Sequence, residues 1–349
     1  MSIDIHLCEA GEVGRVRQFL DRHWSRGHVL AHDVALLDWQ HKRSDGRYNF
    51  VVATRNHDPD PLGVLGFIPT TKYDPALAED ETVWLALWKV RADASSAGLG
   101  LAMLRYLTSL HPGSSIGVVG IGPAEHIGMY RALGFVTGEL TQYYMLNDSK
   151  TDFRLAKIPA RSARITAGAG TVRLTSLNES SFVAAAARVE SALTGSTEPR
   201  KTATYFKSRF FAHPVYPYDL YLADTPKGPA IIAARMARHD GRSALRIVDF
   251  LGAEEVFAGL GAALQGLIRS SDAEYADVWN AGFLPSTFAR AGFAAVDPDG
   301  EFIIPNYFEP FVQRNGRITF ALRAATARRI AIFRADGDQD RPNMIPAHR

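Results

Sequence analysis

Apolar and polar residues alternate at the start of the chain: Ile3, Ile5 and Leu7 against Asp4, His6 and Cys8. A two-residue period predicts a strand with one buried face. Val13, Val16, Phe19 and Leu20 then fall at helical spacing, predicting a helix over 12–24, and Val34, Leu36, Leu37 and Trp39 predict a second over 32–40. Residues 48–54 and 62–68 read as strands around the polar turn 56–61, a hairpin. Residues 83–91, VWLALWKVR, predict a long strand, 95–110 a turn and helix, 115–121 a strand, and a second helix runs to 129–135. Residues 138–145 read as a closing strand.

Gly98 and Gly100 sit where a strand hands over to a helix. Glycine lets the backbone approach a ligand with no Cβ in the way. The first N–H groups of a helix point outward, and the helix dipole favours negative charge there. The junction therefore predicts a phosphate cradle. The segment Ser95-Ser96-Ala97-Gly98-Leu99-Gly100 followed by Tyr130-Arg131-Ala132-Leu133-Gly134-Phe135 resembles the acetyl-CoA site of the GNAT acyltransferases. Their signature is Gln/Arg-x-x-Gly-x-Gly/Ala at a helix start and Tyr-x-x-x-Gly-Phe later. Ser95 stands where the family has Gln or Arg, so the resemblance places the grip on the backbone of Gly98, Leu99, Gly100 and Leu101.

From residue 172 the pattern restarts. A strand over 172–174, a helix over 181–193, a hairpin over 218–222 and 230–237, and strands over 245–251 and 276–279 follow the earlier order. Ala258-Gly259-Leu260-Gly261 repeats residues 97–100, and Phe288-Ala289-Arg290-Ala291-Gly292-Phe293 repeats the Tyr130 hexad, at offsets of 161 and 158 residues. Such a repeat predicts an α/β (α+β) chain of two tandem GNAT-like modules, each a mixed, mostly antiparallel sheet flanked by helices. The expected domains are 1–150, an acyl-CoA-binding catalytic module; 151–170, a linker; and 171–349, a degenerate module. Phe288 lacks the hydroxyl of Tyr130 and Val256 takes the place of Ser95, so the second copy is not expected to run a reaction. The last part alternates as a strand pair, 318–324 and 328–335, and ends in Asp336-Gly337-Asp338-Gln339-Asp340. Two readings stand: a solvated acidic end, or a tail folded across an acceptor site. A calcium loop is excluded because no bidentate Glu follows, and no metal site is expected.

The 349 residues suffice for two domains. Net charge is +2, which argues against a nucleic-acid platform. Cys8 is the only cysteine, so no intrachain disulfide forms, as in a reducing compartment. The amino terminus has no apolar signal core and no run reaches the length of a membrane span. These features predict a cytoplasmic protein with no membrane partner; a homodimer stays open.

The resemblance implies an acyl-CoA-dependent N-acyltransferase using acetyl-CoA or another short acyl-CoA. Backbone N–H groups near Trp88, Lys89 and Val90 would polarise the thioester carbonyl. Val90, Ser95, Ser96, Gly98, Leu99, Gly100, Leu101 and Tyr130 would hold the co-substrate. Tyr130 would protonate the departing thiolate, a free phenol at pKa ~10 facing a thiol near ~8.5. Water or an early-helix residue, His28 or His32, would serve as base. Trp24, His28 and His32 would contact the acceptor; the plainer reading of these with Trp39 and His41 makes the tryptophans core and the histidines surface. Arg15, Arg17 and Arg26 could meet an anionic acceptor. The two-module chain also resembles the two-domain sugar N-acyltransferases of this superfamily, which makes the preferred acceptor a small-molecule amine, a nucleotide-linked amino sugar. Two alternatives are a tRNA-dependent aminoacyl transferase of the peptidoglycan-bridge type and a non-enzymatic acyl-CoA-binding regulator.

Overall fold

In the computed structural model the amino-terminal alternation forms β1 (Ile3–Leu7), which pairs antiparallel with β2 (Phe50–Arg55). Residues 2–56, 58–94, 98–122, 124–159, 172–193, 195 and 197–344 are described. The chain divides into two units, one of Met1–Thr137, Ala321–Ala327 and Gly337–Arg349, the other of Gly138–Phe320 and Arg328–Asp336. The boundary expected at residue 150 therefore lies elsewhere. The strand over 138–145, read as closing the first module, groups with the second unit, and two carboxy-terminal segments return to the first.

In the first unit, helices α1 (Val13–Phe19), α2 (Val29–His32) and α3 (Val34–His41) separate β1 from β2. The helix predicted over 32–40 is α3, capped by Asp33, which accepts from the Leu36 amide; the short α2 before it was not expected. Then come β3 (Asp58–Pro69), β4 (Thr82–Val90), α4 (Leu99–Leu110), β5 (Ser115–Val119) and α5 (Ala124–Ala132). The sheet order is β1-β2-β3-β4-β5, antiparallel except for the parallel β4–β5 pair. Val83 and Leu85 of β4 pack with Leu99, Met103, Leu104 and Leu107 of α4 in one apolar core. That core explains why α4 forms: its apolar residues recur at three- and four-residue spacing. Ala321 joins the same core, and the Ala325 amide donates to Ser115 Oγ at 2.9 Å.

The second unit begins with most of β6 (Val136–Leu146). There follow β7 (Arg173–Leu177), α6 (Glu179–Ala192), β8 (Thr197–Glu198), α7 (Ala203–Phe206), β9 (Asp219–Thr225), β10 (Gly228–His239) and β11 (Arg242–Leu251). After these come α8 (Glu254–Phe257), α9 (Gly261–Ser270), β12 (Tyr275–Ala281), α10 (Pro285–Arg290) and β13 (Ala294–Ala295). Short strands β14 (Tyr307–Phe308) and β15 (Phe311–Val312) form a hairpin. The chain closes with β16 (Ile318–Arg323), β17 (Arg329–Ile330) and β18 (Ile332–Phe333). The order β7-β9-β10-β11-β12 repeats that of the first unit, including one parallel pair, β11–β12. β6 lies antiparallel on the far side of β12. The strand pair expected near the end does not form: β17 pairs with β8, and β18 with β12.

The repeat extends to a defect. Pairing of β3 with β4 jumps from Gly66–Leu87 to Phe67–Leu85, leaving Ala86 as an extra residue. Pairing of β10 with β11 jumps from Ala233–Asp249 to Ala234–Ile247, leaving Val248 extra, 162 residues after Ala86. Parallel pairing stops just before each bulge, at Leu85–Val118 and at Ile247–Val278. A bulge bends its strand and increases local twist, so in both units the two parallel strands part there. No helix among the described residues is long and apolar enough to cross a membrane.

Candidate active site

The first unit opens α4 at Gly98, whose φ of +92° lies in the left-handed region. Glycine takes that conformation without the Cβ penalty. No side chain among the described residues caps this helix, and its first intrahelical bond at this end runs from the Ala102 amide to the Gly98 carbonyl at 2.9 Å. The amides of Leu99, Gly100 and Leu101 therefore have no intrahelical acceptor. Among the described residues a Cβ on Gly98 would meet nothing within 4 Å, so these leave space in front of the helix start. A Cβ on Gly100 would come 3.3 Å from the Trp88 indole, so that glycine lets α4 close on β4. Uncapped amides, a left-handed glycine and open space fit a diphosphate. Ser95 and Ser96 lie outside the described residues.

Beyond Leu85, β4 keeps its β3 partners, Leu65 opposite Trp88, Val64 opposite Lys89 and Gly63 opposite Val90, while its register with β5 has ended. The strand edge proposed for carbonyl polarisation is thus the one that parts from its neighbour. Tyr130, on α5, is buried and packs edge-on against Phe135 at 5.2 Å and Trp88 at 6.4 Å between centroids. The fold thus brings Trp88, Gly100 and Tyr130 together. Burial alone pushes the Tyr130 phenol up to about 12, away from the thiol range rather than matched to it.

The acceptor candidates sort differently. Trp24 is 41% exposed and is no core residue. His28 is buried at 5% exposure, and neither ring nitrogen has a hydrogen-bond partner among the described residues. Burial, then the nearby Arg341 charge, pushes its pKa down to about 3. His41 is also buried; its Nδ1 donates to the Phe67 carbonyl at 3.2 Å and its ring stacks on Phe50 at 4.3 Å. The surface reading of the histidines therefore fails for these two. His32 is exposed and pairs with Asp21 at 3.0 Å. Trp24, His28 and His32 make no hydrogen bond or ring contact with Trp88 or Tyr130. Arg17 Nε donates to the Ala31 carbonyl at 2.9 Å, a structural tie between α1 and α2.

The carboxy-terminal segment corrects another expectation. Asp336, Asp338 and Asp340 are buried, so this is not a solvated acidic end. Gln40 Nε2 donates to Asp338 Oδ1 at 2.7 Å, Gln339 Nε2 donates to the Val119 carbonyl at 2.8 Å, and the Val29 amide donates to the Asn343 carbonyl at 3.3 Å. Gln339 thus sits where β5 has just left β4, beside Gly120, whose Cβ would lie 2.1 Å from Gln339 Nε2. Alternating Asp residues signalled a structured segment; the partners, some 220 residues or more away, carried no local signal.

The second unit lacks these features at the repeated positions. Leu260 precedes α9 in right-handed conformation, and the turn α8 places Glu254 and Glu255 before it. Phe288 is fully buried and stacked on Tyr143 at 3.9 Å. The gap between β11 and β12 is occupied: β18 pairs with β12, and the Ala335 amide donates to the Val248 carbonyl at 2.9 Å.

Among solved structures, the chain is similar to a GCN5-related N-acetyltransferase from Anabaena variabilis ATCC 29413, with a TM-score of 0.56 at 12% identity over 93% of this chain and 73% of that one. The chain has the GCN5-related N-acetyltransferase fold. A second such protein, from Kribbella flavida, matches at a TM-score of 0.53 and 12% identity, over 93% of this chain and 71% of that one. Coverage of 93% of this chain takes in residues of both units. No protein-family model matches the chain, and no curated protein matches it either.

Proposed function

We propose that the first unit is an acyl-CoA-dependent N-acyltransferase moving an acetyl or short acyl group to a primary amine. The observation that carries this is the uncapped start of α4, with left-handed Gly98, beside the parting of β4 and β5. The GCN5-related fold supports it. In this reading the amides of Gly98, Leu99, Gly100 and Leu101 hold the diphosphate, with Ser95 and Ser96 just before them in the sequence. The co-substrate supplies an activated thioester carbonyl. Backbone N–H groups around Trp88 and Val90 polarise that carbonyl. The amine nitrogen forms the new C–N bond, the C–S bond breaks, and Tyr130 delivers a proton to sulfur.

His28, held near 3 by burial, is too weak to take a proton from an amine at neutral pH. Of the two named histidines that leaves the solvent-facing His32, which pairs with Asp21, as the candidate. The exposed face of Trp24 suits an acceptor platform. For the acceptor itself we favour a nucleotide-linked amino sugar, on the resemblance to two-domain sugar N-acyltransferases.

The test is thiol release from acetyl-CoA with a panel of nucleotide-linked amino sugars, free amino sugars, amino acids and an aminoacyl-tRNA. Turnover with the nucleotide-linked compounds is expected. Turnover with aminoacyl-tRNA alone would favour the tRNA-dependent reading. CoA binding without turnover on any amine would favour a regulator.

A further inference from the structure

Strand alternation sorts the residues around the parting of β4 and β5 onto two faces. Val83 and Leu85 of β4, and Ile116 and Val118 of β5, turn to the core built on α4. Trp84 and Val119 turn to the opposite face, where the carboxy-terminal segment lies on them. A Cβ on Gly337 would stand 3.7 Å from the Val119 Cβ and 3.8 Å from the Trp84 Cβ. Two residues on, Gln339 Nε2 donates to the Val119 carbonyl at 2.8 Å. Its amide group occupies the place of a Cβ on Gly120, at 2.1–2.6 Å. Val119 is the first residue of β5 beyond the last pair with β4, Leu85–Val118. One side-chain amide thus stands where the two strands begin to part.

Its position is held from behind. The neighbouring Asp338 is buried, accepts from Gln40 Nε2 at 2.7 Å and pairs with Arg341. The second unit shows the same opening closed by main chain: β18 pairs with β12, and the Ala335 amide donates to the Val248 carbonyl at 2.9 Å. In the first unit the reach into the opening is made by a side chain, whose length decides how far it extends.

We propose that Gln339 sets the length of the acyl chain that the first unit accepts. The proposal rests on the acyl-CoA reading of that unit. A co-substrate whose diphosphate sits at the start of α4 approaches the parting from the α4 face. Its acyl group then points to the far face, where Gln339 stands. An acetyl group stops short of the amide, and each added methylene presses on it. Seating a longer chain requires breaking the Gln339–Val119 bond, which leaves the carbonyl of a buried residue unpaired. One methylene more or less in a closed pocket changes discrimination by about 10–200-fold.

The experiment is calorimetric titration of the full chain with CoA and with acetyl-, propionyl-, butyryl- and hexanoyl-CoA. The wild type is expected to bind acetyl-CoA within about threefold of CoA, and butyryl- and hexanoyl-CoA at least tenfold more weakly than acetyl-CoA. Gln339→Ala should bring butyryl-CoA to within about threefold of acetyl-CoA and leave CoA itself unchanged. Gln339→Met keeps the reach of the side chain, so butyryl-CoA should stay clearly weaker than acetyl-CoA. Failure of the wild type to bind CoA overturns the acyl-CoA reading and this proposal with it. Binding of CoA with one affinity for every chain length overturns this proposal alone. So does a butyryl penalty that Gln339→Ala leaves in place, or equal relief in the Ala and Met variants.

Discussion

Tyr130→Phe removes one hydroxyl and leaves a ring of the same shape packed against Phe135 and Trp88. The phenol stands near 12 because burial disfavours its anion. A departing thiol stands near ~8.5, so complete transfer from phenol to free thiolate is uphill by about 3.5 pK units, roughly 5 kcal/mol. The proton can therefore not arrive before the C–S bond breaks; Tyr130 must donate while charge develops on sulfur. General-acid assistance of that kind contributes about 10²–10⁴-fold, some 3–5 kcal/mol. The variant should lose kcat by that factor while its Kd for CoA stays within about threefold. An acid works only when protonated, so activity through Tyr130 is lost as pH rises through about 12. Wild-type kcat should show no falling limb from this group at ordinary assay pH. An unchanged kcat removes Tyr130 from the chemistry. A kcat loss matched by an equal loss of CoA affinity assigns it to packing instead.

Two further outcomes follow from buried groups of the first unit. His41 stays neutral in the fold down to about 3, against 6.5 when exposed, because burial disfavours the imidazolium. The unfolded chain gains that proton first, so stability present above pH 6.5 is lost as pH falls towards 3, by about 1.4 kcal/mol per pH unit. Urea unfolding at pH 6.5 and 5 should show a loss about 2 kcal/mol smaller in His41→Gln; identical slopes would contradict the burial argument. Gly120→Ala puts a methyl 2.1 Å from Gln339 Nε2 at a φ of +80°, so the Gln339 side chain must swing away from the Val119 carbonyl. A loss of about 1–3 kcal/mol is expected by thermal unfolding, and part of it should disappear on a Gln339→Ala background. Full additivity would show that Gln339 is not what the methyl meets.

The repeat was legible because each unit carries the same local signals: alternation in strands, Ala-Gly-Leu-Gly before a helix, and an aromatic hexad ending in Gly-Phe. Register and bulge were not, since Ala86 and Val248 look like any other strand residues and the slip is decided by the facing strand. Assignment of residues 138–146 to the second unit was also hidden: GELTQYYML alternates as an edge or central strand of either module would, and the antiparallel partner that claims it, β12, lies more than a hundred residues on. His28 and His41 read as surface because histidine usually is; their burial comes from elements distant in sequence. Tyr130 was found by its motif, but a motif carries no dielectric, and the shift of its phenol became visible only with its neighbours in place.

Calorimetric titration of CoA into Gly98→Asp, Gly98→Asn and Gly259→Asp tests the central claim most directly. Asp and Asn have the same shape and both tolerate the left-handed region, and none of the described residues lies within 4 Å of a Cβ at Gly98. The two Gly98 variants therefore differ in charge alone. A unit charge about 4 Å from a phosphate is worth up to about 4 kcal/mol near a protein surface, less with salt. The wild type should bind one CoA per chain; Gly98→Asp should weaken it at least tenfold relative to Gly98→Asn, and Gly259→Asp should leave it unchanged. Equal affinities in the two Gly98 variants, or loss of binding on Gly259→Asp, would contradict a diphosphate held at the start of α4.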